Sequence, residues 1–62
     1  MTKYEAIQAM IEGKKVTHRF FLSNEFIYME NGMIFFENEI PAFKFWQYRD
    51  SKSWDIDWSI YK

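Results

Sequence analysis

An α+β fold, with one N-terminal helix packed on a small antiparallel β-sheet of about four strands, follows from three features of the sequence. A capping signal opens a helical stripe near residue 2, an Asn-Gly pair joins two apolar runs between 25 and 37, and the final residues alternate apolar with polar. The 62 residues leave room for a single domain, 1–62.

Thr2 stands three residues before Glu5, the spacing of a capping box in which hydroxyl and carboxylate each accept a backbone N–H. Tyr4, Ile7, Met10 and Ile11 fall on one stripe at helical spacing, and Gly13 suits the left-handed residue that ends the turn. These features predict a helix over 3–12 with that stripe facing the core. Lys14 and Lys15 meet the negative end of the helix dipole, and the β-branched and aromatic content of Val16 to Phe21 predicts a strand. Ser23 and Asn24 read as a turn.

Glu25 to Glu30, Asn31-Gly32 and Met33 to Glu37 form the clearest pattern. Asn-Gly between apolar runs favours a two-residue type I′ hairpin, because both central positions need positive φ. Counting back from the turn pairs Glu30 with Met33, Met29 with Ile34, Tyr28 with Phe35 and Ile27 with Phe36. Alternation then sets Ile27, Met29, Ile34 and Phe36 on one face and Phe26, Tyr28, Met33 and Phe35 on the other. Both faces are apolar, so the second requires cover from the C-terminal segment, another subunit or a ligand.

Asn38 to Pro41 reads as a loop, and Ala42 to Tyr48, with Phe43, Phe45, Trp46 and Tyr48, as an extended segment. Asp50 to Ser53 reads as a turn or the start of one helical turn. Trp54, Ile56, Trp58 and Ile60 alternate with Asp55, Asp57 and Ser59, which predicts a closing strand at 56–61 with Trp58 and Ile60 inward.

Composition excludes several classes of partner. Eight Lys and Arg against nine Asp and Glu give a net charge of −1, without the basic excess that binding a phosphate backbone requires. No apolar run spans a bilayer and the N-terminus lacks signal-peptide order, so the expected location is the cytoplasm. No cysteine is present, which removes disulfides and thiolate metal sites. Seven Phe, four Tyr and three Trp, 23% of the chain, are the means by which so short a domain can build a core.

Residues suited to catalysis are few. His18 is the only histidine and has no base, orienting group or metal ligand near it in sequence, so it reads as a surface or edge-strand residue. Asp55 and Asp57 read as solvated carboxylates, as do Glu37 and Glu39. No cofactor and no metal is expected, and the chain reads as a non-enzyme. Lys14, Lys15, His18 and Arg19 gather charge ahead of Phe20 and Phe21, an arrangement able to hold phosphate beside a stacked base, or else a solvated edge beside core rings.

The run Tyr4 to Phe21, the segment Glu25-Phe-Ile-Tyr-Met29 and the ending Asp57-Trp-Ser-Ile-Tyr61 resemble a family of small phage proteins. That family includes the Thoeris anti-defence sponges, which sequester cyclic ADP-ribose-type signals between subunits of a homo-oligomer. The resemblance covers the ends of the chain. Phe21 stands where the family usually carries Trp, keeping a stacking face and losing the indole donor, and the stretch between hairpin and closing strand is shorter.

Two functions follow as expectations. In the first, a homo-oligomeric anti-defence protein sequesters a small nucleotide signal, with Lys15, His18 and Arg19 on phosphates and Phe21 or Trp46 on a base. In the second, an inhibitor docks an aromatic face on a host defence or replication protein. Its interface residues are Phe26, Tyr28, Met33, Phe35 and Tyr48, with Trp46 beside them.

Overall fold

Thr2 begins the first element as its side chain dictates. The Glu5 amide donates to Thr2 Oγ1 at 3.2 Å and the Thr2 amide donates to Glu5 Oε1 at 2.8 Å, closing the capping box. Helix α1 runs Lys3–Ile11. It ends in a left-handed Gly13 at φ +90°, with Gly13 N–H donating to Met10 O and Lys14 N–H to Ala9 O, both at 3.0 Å.

The computed structural model describes residues 1–62. After α1 come strands β1 (Val16–His18), β2 (Ile27–Glu30), β3 (Met33–Phe36) and β4 (Trp58–Ile60), with single 3-10 turns at Trp46–Tyr48 and Lys52–Trp54. The strands form one sheet in the order β3-β2-β1-β4, every pair antiparallel. The fold is therefore α+β, a helix packed on a four-stranded antiparallel sheet.

The hairpin has the register its turn dictates: Ile27 pairs with Phe36, Tyr28 with Phe35, Met29 with Ile34 and Glu30 with Met33. Asn31 and Gly32 take φ of 52° and 79°, the two positive values a type I′ turn requires. Val16, Ile27 and Trp58 point to the core with Ala6, Ala9, Met10, Ala42 and Phe45, and Met29, Ile34, Phe36 and Ile60 pack against them.

Four expectations change in the folded chain. The helix is rotated by roughly a third of a turn: Ala6, Ala9 and Met10 are buried, whereas Tyr4 is 81% and Ile11 60% exposed. Two apolar stripes overlap on this helix, and the one with alanines lets the backbone lie close to the sheet. Strand β1 stops at His18, because Phe20 N–H turns back to His18 Nδ1 at 3.1 Å and Phe21 N–H to His18 O at 2.9 Å.

The segment 42–48 is not extended. Phe45 is buried and the adjacent Trp46 also packs on the core; neighbouring residues reach one side of the chain in a helical turn and not in a strand. Only residues 40–42 run along the sheet, with Phe36 N–H bonded to Ile40 O at 3.0 Å and Ala42 N–H to Ile34 O at 2.8 Å. The closing strand begins at Trp58 instead of residue 56, because Asp57 sits at φ 69° and breaks the alternation. Ile56 is consequently 54% exposed. No helix is long and apolar enough to cross a membrane.

Candidate functional site

The residues expected to hold a nucleotide do not converge within one chain. His18 is 3% exposed and packed, which corrects its reading as a surface or edge residue. Its Nε2 lies 3.1 Å from Ser53 O and 2.8 Å from Ile56 O, while Nδ1 accepts the Phe20 N–H. This pattern assigns the proton to Nε2 and uses both nitrogens. The ring is enclosed by Trp54 at 4.2 Å, Trp58 at 4.7 Å and Phe20 at 5.1 Å between centroids. An imidazole so engaged has no edge left for a phosphate.

Phe21 belongs to the same aromatic core, 5.7 Å from Trp58 and 6.3 Å from Phe45. Arg19 remains on the surface, its Nη1 3.4 Å from Asp57 Oδ2 with both side chains well exposed. Lys15 precedes Val16 and so projects from the other face of the sheet, its ammonium 4.8 Å from the Phe26 ring centroid. Trp46 contacts Phe45 at 4.9 Å and Trp58 at 5.5 Å, and its ring carries the Lys3 ammonium at 4.5 Å. Alternation along β1 explains the dispersal: residues 15, 16 and 18 cannot all face one way.

The expected interface residues do assemble, with one exception. On the face turned away from α1, Tyr28 and Phe35 stack at 5.6 Å with planes 18° apart. Phe26 lies 6.2 Å from Tyr28 and 4.5 Å from Tyr61. The rings of Phe26, Tyr28, Phe35 and Tyr61 meet one another and none of the core rings. They form a half-buried row running from the end of β4 across the sheet to β3, continued by Met33 at 41% exposure. The exception is Tyr48, which is 74% exposed on the 3-10 turn and touches no ring of the row.

Charge is unevenly distributed around the row. Lys15 stands over Phe26 at one side. At the other, partial desolvation and the carboxylates of Glu39 and Glu30 raise the Tyr28 phenol above its ordinary pKa. Glu39 is exposed, as its reading as a solvated carboxylate has it, and acts on the phenol through its charge. Tyr61, which no sequence expectation places here, joins the row because alternation from Ile60 turns it to this face.

A second feature lies on the opposite side of the molecule. Lys3, Tyr4, Ile7, Trp46, Asp55 and Ile56 line an open groove of about 680 Å³ at the start of α1. The Lys3 amide donates to Asp55 O at 2.9 Å, joining the two sides of the groove. Nothing in local sequence joins Lys3, Trp46 and Asp55, which come together only by folding.

No three His, Cys, Asp or Glu side chains gather in a metal-binding group. No protein-family model, curated protein or solved structure matches the chain.

Proposed function

We propose that this chain is a non-enzymatic binding protein that acts by docking the aromatic face of its sheet on another protein. The observation that carries the reading is the stacked Tyr28–Phe35 pair, continued by Phe26 and Tyr61 on a face that neither α1 nor the 42–57 segment covers. Tyr and other aromatic side chains anchor protein interfaces because they bury a large area at low conformational cost. Carboxylates at one side and Lys15 at the other provide the polar rim of such a surface. The phage-family resemblance makes a host defence or replication protein the expected class of target, and inhibition by occlusion the mechanism.

Nucleotide sequestration has less support, because His18 and Phe21 are spent on the core and Lys15 and Arg19 point apart. A photo-crosslinking residue placed at Met33, compared with one at the exposed Gln8 of the helix, tests the docking reading in the native host. Adducts formed from position 33 and not from position 8 are expected, and an adduct of twice the monomer mass identifies the partner as a second copy. Equal labelling from both positions, or none from position 33, overturns the reading.

A further inference from the structure

The groove beside α1 is lined by the half-buried Trp46, Ile7 and Lys3 and by the exposed Tyr4, Asp55 and Ile56. One cation already occupies it: the Lys3 ammonium sits 4.5 Å from the Trp46 ring centroid. That distance is within the range over which an indole face attracts positive charge. Asp55 is exposed and its carboxylate has no ion-pair partner, the two ion pairs of the chain being Lys14–Glu12 and Arg19–Asp57. An aromatic ring that holds a cation, and an unpaired carboxylate close by, are complementary to a planar cation with an apolar stem.

We propose that this groove is a second docking point that receives an arginine side chain of a partner protein, with Lys3 as its intramolecular stand-in. A guanidinium stacks on an aromatic plane and pairs with a carboxylate at the same time, which the compact ammonium of Lys3 does not do here. Its methylene stem rests against Tyr4, Ile7 and Ile56. Lys3 is half-buried with its ammonium over Trp46, and displacement returns that ammonium to solvent. This site is separate from the aromatic face of the sheet and shares no residue with it, so either proposal stands if the other fails.

Nα-acetyl-arginine amide is the probe, and its uncharged citrulline counterpart is the control. Binding is followed by NMR at the indole N–H of Trp46, assigned with Trp46→Phe. The expected result is a saturable shift on the order of millimolar affinity with the arginine probe and none with citrulline. Lys3→Met, which removes the competitor, is expected to tighten binding about threefold, and Asp55→Asn to weaken it about threefold. Both variants keep the backbone bond from Lys3 N–H to Asp55 O, and an unchanged spectrum away from the groove verifies their fold. A citrulline response equal to that of arginine, no response at Trp46, or weaker binding in Lys3→Met overturns the proposal.

Discussion

The imidazole Nε2 of His18 stands 2.8 Å from the carbonyl oxygen of Ile56, thirty-eight residues further along the chain. Through this bond and the 3.1 Å contact to Ser53 O, a β1 side chain ties down the irregular segment that precedes β4. Trp58 makes a parallel tie, its indole N–H donating to Trp54 O at 2.8 Å. These contacts hold a stretch with almost no regular backbone pairing, so His18 has a structural role.

His18→Ala is therefore expected to cost about 2–4 kcal/mol, since it removes a buried ring, opens a cavity, and takes away the partner of the Ser53 and Ile56 carbonyls and the Phe20 amide. Only nine of 62 residues are buried, so a loss of that size is read as a large drop in the urea midpoint or as loss of the cooperative transition. A change within about 0.5 kcal/mol excludes the tie.

The capping box sets part of the acid limb of stability. Hydrogen bonds from the Thr2 backbone and side chain hold the Glu5 carboxyl below its ordinary pKa, with the N-terminal charge adding to the effect. A carboxyl lowered by folding stabilises the protein above its unfolded pKa of about 4.3 and loses that contribution as pH falls through the folded value. Glu5→Gln is expected to flatten the stability curve below about pH 4.3, and Thr2→Ala to cost about 1 kcal/mol at neutral pH. Urea melts across the acid range check both.

Tyr28 supplies the alkaline counterpart. Its raised phenol pKa means that the folded state holds the proton more tightly than the unfolded state. The associated stability is complete below about pH 10 and is lost as pH rises through the folded value. Glu39→Gln removes one of the two carboxylates beside the phenol and is expected to lower the Tyr28 titration midpoint. Ring-proton NMR of Tyr28 through alkaline pH measures it, and an unmoved midpoint refutes the placement of Glu39.

Gly32 at φ +79° has no atom within 4 Å of an added Cβ, so its constraint is purely one of backbone conformation. Gly32→Ala is expected to cost about 1 kcal/mol and Asn31→Gly much less, because only the left-handed turn is strained. The urea midpoints of the two variants settle the order.

Arg19→Ala separates structural from functional readings of the basic cluster. Its ion pair with Asp57 is exposed at 3.4 Å, so the expected change in stability is within about 0.5 kcal/mol. A substantially larger loss shows that Arg19 does more than solvate the turn.

The hairpin from Phe26 to Phe36, its register and its two apolar faces were legible in the sequence, as were the capping box and the end of the helix at Gly13. Each depends on neighbours: a turn that needs two positive φ values, or side chains three residues apart. The aromatic row was legible to the same extent, since Phe26, Tyr28, Met33 and Phe35 follow from alternation once the turn is known. Tyr48 did not join them because its segment coils instead of extending.

What only the tertiary structure decided was orientation and long-range contact. Either apolar stripe of α1 satisfies the helical period, and the sheet selected Ala6, Ala9 and Met10 because small side chains permit close approach. His18 reads as a surface or edge-strand residue because no base, orienting group or metal ligand stands near it in sequence, yet its partners lie at Ser53 and Ile56, beyond the reach of local pattern. Lys3, Trp46 and Asp55 meet in one groove for the same reason. Local sequence determines backbone conformation through turn chemistry and spacing, whereas the meeting of distant polar atoms depends on how the whole chain closes around its core.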